Sequence, residues 1–238
     1  MEYFRTEDGQ IKADFARRLG VILKQYHEQI ISIEKYEVSL TLSILQSLLT
    51  NCVELLNGMK NSDKKNNPFY QFPIDSQVWG FDDKSIKYNS FLQNQLTIEK
   101  ILRHIRNALC HPTCININSY HKTTGYITKG GNILIKTLHF VSSPDINGKG
   151  NPKTYKTAEI ATTFLRQQPD FPKNIQVIQF GHEKFGYQLN GKPFYRIFEI
   201  ELCPDQLFTF TYSLASYLSH PLIKKWDGIT FQIKKIAA

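Results

Sequence analysis

The sequence predicts an α+β protein, and three observations carry that expectation. Apolar residues recur at helical spacing through the first 60 residues; the period shortens to strand alternation with hairpin turns after Pro112; helical spacing returns after Pro204. Phe15, Leu19, Ile22 and Tyr26 fall on one face of a first helix, and Leu42, Leu45, Leu49, Cys52 and Leu56 on one face of a second that Gly58 closes. The polar run 61–68 reads as a loop, with Trp79 and Phe81 pinning the connection behind it to the core. Ser90 and Gln93 have capping-box spacing, so a third helix is expected from there to His111, where Pro112 stops it.

Beyond Pro112 the expected elements are strands. Residues 125–128 and 133–141 flank Lys129-Gly130-Gly131-Asn132 as a hairpin, and 175–180 is a further strand. Residues 184–189 and 194–202 form a second hairpin around Asn190-Gly191, a pair suited to a type I′ turn. A short helix is expected over 157–167. Pro204 then stands at a first helical position, with Leu207, Phe210, Leu214 and Tyr217 on one face, and 229–236 alternates as a last strand. These pieces make one domain over residues 1–238. Its helical core is about 10–60, 90–112 and 204–219, with a β-rich insertion over about 119–202.

Composition narrows the function classes. The 238 residues are 41% hydrophobic and 13% aromatic, enough to bury a core, and no apolar run is long enough for a membrane span. Residues 1–5 have neither the basic head nor the apolar stretch of a signal peptide. Four scattered cysteines make no disulfide framework. A cytoplasmic protein is therefore expected, and its net charge of +8 favours an anionic partner. The lysines are dispersed and form no block of like charge, so any nucleic-acid site must be built by the fold.

The third helix carries the candidate chemistry. On a wheel of about 100° per residue, Ile98, Ile101, Leu102, Ile105, Ala108 and Leu109 share one arc. Glu99, Lys100, Arg103, His104, Arg106, Asn107, Cys110 and His111 take the other. Asn107 and His111 are neighbours four residues apart, while Arg106 and His111 lie about 140° apart around the axis. Taken alone, this arc reads as a solvated face, with Glu99 pairing Arg103 and His104 a surface histidine.

The string Arg106-Asn107-Ala108-Leu109-Cys110-His111 resembles the Arg-(polar)-x-x-x-His signature of the HEPN superfamily, helical-bundle proteins many of which are metal-independent RNA endonucleases. Arginine followed by Asn, with His five residues on, is expected by accident only about 0.01 times in this composition, and the string closes an amphipathic helix. The resemblance implies Arg106, Asn107 and His111 as the catalytic set, acting without metal or other cofactor at a composite site between two copies of the chain. It covers only the helical part. Compact members lack a long β insertion before the fourth helix. A tyrosine that one toxin subgroup carries two residues after the histidine is Thr113 here, so control by adenylylation is in doubt.

The chemistry of these residues suits RNA. The ordinary pKa of a histidine lies near neutrality, which makes His111 the candidate general base or acid, while Arg106 offers a planar fork of donors for phosphate oxygens. Arg103 and His104 are candidate substrate-binding residues on the same arc. One helix spreads Arg and His too widely for a single phosphate, and two copies across a two-fold axis would bring one chain's His near the other's Arg. The expected partners are RNA, a second copy, and an antitoxin or defence-complex protein, in a toxin–antitoxin, phage-defence or CRISPR-associated setting. The alternative is a catalytically silent HEPN-like module that binds a nucleotide or protein in a larger assembly. Cys110, His111 and Cys114 match no common zinc spacing, Asp82-Asp83 reads as a turn, and Lys149, Lys153 and Lys156 beside Tyr155 are a candidate RNA-backbone contact.

Overall fold

A computed structural model describes residues 7–28, 37–52, 64, 67–89, 96–110, 115–120, 134–143, 145, 151–168 and 171–220. The architecture is mixed helix and sheet. Four long helices, α1 (Glu7–Glu28), α2 (Glu37–Asn51), α4 (Ile98–Cys110) and α6 (Pro204–Ser219), form the helical core, with a one-turn helix α3 (Ser76–Trp79) beside them. Helix α6 runs through the middle. It touches α1, α2, α3 and the sheet, and buries Leu207, Phe210, Leu214 and Tyr217 completely, as their spacing predicts. Trp79 and Phe81 are buried as expected, and Phe69 joins them, its ring stacked on Tyr217 at 4.8 Å.

The first helix exists where expected but turns a different face inward. Ala13, Ala16 and Leu23 are buried, whereas Phe15 and Ile22 are 39% and 49% exposed. The reason is how closely α1 approaches α6: a Cβ at Gly20 would lie 3.2 Å from the Cβ of Ala215. At that separation small residues belong at the contact, and Phe15 and Ile22 turn outward while Leu19 still packs against the core. In α2 the expected face holds, with Leu45, Leu49 and Cys52 buried and Leu42 packed against the core. Leu56 and Gly58 lie outside the described residues.

Helix α4 begins later than the capping box implied. Leu96 and Thr97 are not helical, and the Thr97 carbonyl accepts the first helical N–H groups, from Lys100 (3.0 Å) and Ile101 (3.1 Å). Ser90 and Gln93, the expected capping box, lie outside the described residues.

The main sheet has antiparallel strands in the order β1-β7-β3-β2, comprising β1 (Ile86–Asn89), β2 (Ile115–Tyr120), β3 (Leu134–Ser142) and β7 (Phe198–Leu202). It is not confined to the insertion, since β1 precedes α4 in sequence and pairs with β7. Leu138, Phe140, Phe198, Ile200 and Leu202 point into the core. On the outer face His139 lies between Glu199 (2.9 Å) and Glu201 (3.2 Å), with Lys87 on Glu201 (3.2 Å). Strand β3 matches the expected 133–141, but its described partners are β2 and β7. Residues 125–128 and the Lys129–Asn132 turn, like the expected strand 229–236, lie outside the described residues.

A second, smaller sheet has β4 (Gln176–Gly181), β5 (Lys184–Leu189) and β6 (Lys192–Pro193), with α5 (Ala158–Arg166) packed on it. Thr157 caps α5 by accepting from the Ile160 N–H, which matches the helix expected over 157–167. Asn190 and Gly191 both have positive φ (51° and 79°), as a type I′ turn requires. The strand expected over 194–202 is divided. Residues 192–193 finish the small sheet, 194–197 cross over, and 198–202 enter the main sheet. Alternation along a segment does not show which sheet it joins.

Candidate functional site

Helix α4 presents the candidate residues, and its apolar arc fixes their direction. Ile98, Ile101, Leu102, Ile105 and Ala108 are all buried, which locks the rotation of the helix against the bundle. Arg103 and Arg106 consequently face outward and are exposed, and Asn107 is half-buried beside them. Among the described residues neither guanidinium has an ion-pair partner. Glu99, expected to pair with Arg103, instead adds its negative charge to the surroundings of Tyr70, whose phenol burial pushes up to about 12. His111 lies outside the described residues, as do Thr113 and Cys114.

His104 corrects the helix wheel. It is only 7% exposed, its ring stacked on Phe198 of β7 at 4.3 Å, with Nδ1 at 3.3 Å from the Ser142 hydroxyl of β3. The wheel placed it on the solvated arc because it knew only the bundle side of α4. The main sheet covers the opposite flank, and His104 is the residue over which it closes. The outward polar strip is thereby narrowed to Glu99, Lys100, Arg103, Arg106 and Asn107.

The strip is electropositive and its arginines are available as donors. The helix fixes where the two arginines leave the surface, and each guanidinium offers a planar fork of donors that matches phosphate oxygens. Among the described residues no group of three His, Cys, Asp or Glu could hold a metal ion. Asp82, beside Asp83, accepts from the Lys84 N–H at the start of a 3-10 turn and so serves as a cap. Among the described residues no helix is long and apolar enough to cross a membrane.

A family model described as HEPN pEK499 p136 matches residues 1–130. The chain belongs to this HEPN family. No curated protein and no solved structure matches it. In this HEPN protein the matched region includes α1, α2, α4 and the whole Arg106–His111 string, and ends between β2 and β3. The fourth long helix, α6, lies beyond the match, yet it is the element around which α1 and α2 pack. Strands β3 to β7 follow the matched region. One of them, β4, holds Phe180, an exposed aromatic that periodicity alone assigned to an ordinary strand.

Proposed function

We propose that this HEPN protein is a metal-independent endoribonuclease whose catalytic groups are Arg106, Asn107 and His111. What supports the reading is one arrangement: Arg106 exposed and without an ion pair among the described residues, next to half-buried Asn107, on the outward strip of a helix that lies within the family match. In the reaction the ribose 2′-OH attacks the adjacent phosphorus, the P–O5′ bond breaks, and a 2′,3′-cyclic phosphate and a 5′-OH form. His111 takes the 2′-OH proton or supplies the one that the leaving 5′ oxygen needs. Arg106 stabilises the extra negative charge of the phosphorane, and Asn107 orients the imidazole or a phosphate oxygen. Arg103, one turn away, holds a flanking phosphate. His104, buried under the sheet, supports α4 rather than the substrate.

The active form is a homodimer in which one chain's His111 meets its partner's Arg106. The setting is toxin-like or defence-related, with an antitoxin or complex subunit as a further partner. The test is cleavage of single-stranded RNA in EDTA by the purified protein. Arg106→Ala and His111→Ala should each abolish cleavage while the circular dichroism spectrum and dimer mass are retained. Equal activity in both variants, or a requirement for Mg²⁺, overturns the proposal, and no cleavage by the parent protein leaves a HEPN module that binds without cutting.

A further inference from the structure

The small sheet has two faces of different character. Beneath α5, Tyr155, Val177, Phe185 and Tyr187 close a separate apolar core with Ala161, Phe164 and Phe171. Tyr155 is thus turned inward and is not the aromatic beside the lysines that its position in sequence suggested. The opposite face carries an aromatic of its own. The β4–β5 register slips between Gln179 and Gly181, so Phe180 has no cross-strand partner, and such an irregularity re-aims a side chain. The Phe180 ring lies over Gly186 of β5, where an added Cβ would sit 2.6 Å from Cε2 and 3.1 Å from Cδ2. Glycine here makes a seat for the ring, and the ring stays 43% exposed.

The segment that carries that ring is basic overall, with Glu183 the acidic residue in the β4–β5 turn beside it. The Lys153 carbonyl comes within 3.6 Å of the same point over Gly186. Lys184 opens β5 opposite Gly181, and the side chains of Lys153, Lys156 and Lys184 are all exposed. Residues 151–193 contain six Lys and Arg against three Asp and Glu. An exposed aromatic face on a segment with an excess of exposed cations is the composition that holds an unpaired base and its flanking phosphates. An acidic peptide would use the lysines but gain nothing from the electron-rich face of the ring.

We propose that this face of the small sheet is a platform for single-stranded RNA, with one base stacked on Phe180 and Lys153, Lys156 and Lys184 on the adjoining phosphates. The proposal rests on the endoribonuclease reading, for which the platform delivers substrate to α4. The experiment is fluorescence anisotropy of a labelled 12-nucleotide single-stranded RNA with the full chain carrying Arg106→Ala, in EDTA. Adding Phe180→Ala should weaken binding about tenfold, a typical loss for one stacked base, and Phe180→Tyr should restore it. Gly186→Ala, which must displace the ring, should weaken binding as well. Changing the three lysines to Gln should reduce the slope of log affinity against log salt by about 2. Duplex RNA of the same sequence should be insensitive to Phe180→Ala. Unchanged binding in Phe180→Ala, equal weakening for the duplex, or no RNA binding by the parent overturns the platform. Cleavage by the unmodified chain is scored separately. Failure of Arg106→Ala and His111→Ala to abolish it removes the nuclease reading whatever Phe180 does.

Discussion

Arg196 and Asp145, 51 residues apart in sequence, meet in a fully buried double contact. Arg196 Nε donates to one carboxylate oxygen (2.8 Å) and Nη2 to the other (3.0 Å), and the Arg196 backbone N–H also donates to the carboxylate (2.9 Å). Each side chain is 4% exposed. The same guanidinium donates to Gln168 (3.1 Å) and lies 4.4 Å from the centre of the Phe171 ring. Asp145 follows β3, Gln168 and Phe171 follow α5, and Arg196 precedes β7, so this pair ties the crossings between the two sheets. Asp145→Ala strands a buried cation and should cost about 3–5 kcal/mol. Replacing both partners with apolar residues of similar volume should recover most of that, as read from urea denaturation.

His104 supplies a second test, because burial and catalysis separate there. His104→Ala removes the stack on Phe198 and the contact with Ser142, and should destabilise the protein by about 2 kcal/mol. RNA cleavage per folded molecule should stay near that of the parent at a temperature where both are folded. A selective loss of RNA affinity with unchanged stability would return His104 to the surface strip.

The inward face of α1 is checked by neighbouring residues. Leu23 is fully buried and Ile22 is 49% exposed. Leu23→Ala should cost about 2–5 kcal/mol, whereas Ile22→Ala should change stability by no more than about 0.5 kcal/mol. Gly20→Val, pressed against Ala215, should cost about 1–3 kcal/mol through overpacking. Chemical denaturation of the three variants distinguishes this face from the one that spacing favoured.

The outer face of the main sheet predicts a pH dependence. A bond from Thr137 is the main cause holding the Glu201 carboxyl below its ordinary value, with Lys87 and His139 adding to it. A carboxyl that is more acidic in the folded state stabilises the fold above its unfolded value near 4.5, and this contribution disappears as pH falls through the folded value. The protein should therefore be more stable than Glu201→Gln at pH 6.5, and the difference should shrink toward pH 3. A difference that persists or grows in acid would mean that the bonds to Glu201 do not favour its charged form.

Much of the fold was legible because its signals are local. The Asn190-Gly191 turn, the Thr157 cap, Pro204 at the start of α6 and the unbroken apolar arc of α4 each specify an element within a few residues. The outward direction of Arg103 and Arg106 was legible for the same reason, since the buried arc leaves them only one side. The face of α1 was not, because Phe15 and Ile22 satisfy helical spacing as well as Ala13, Ala16 and Leu23 do. What chooses between them is the width of the gap to α6, a property of two segments almost 200 residues apart. The passage of the chain from the small sheet through 194–197 into the main sheet and the burial of His104 were hidden likewise, because each depends on a strand distant in sequence.

Local patterns in the chain specify the α+β class, the four long helices, the positions of most described strands and the place of Arg106 and Asn107 on α4. Such features follow from periodicity, caps and turns, whose energetics are settled between near neighbours. Only the tertiary structure decided which side of α1 faces the core, that β1 and β7 complete one sheet across α4, and that His104 is sealed beneath that sheet. It alone brought Phe180 over Gly186 and Arg196 onto Asp145. Each of those outcomes is a competition for burial between segments far apart in the chain, and packing resolves such a competition only when all the surfaces are present together.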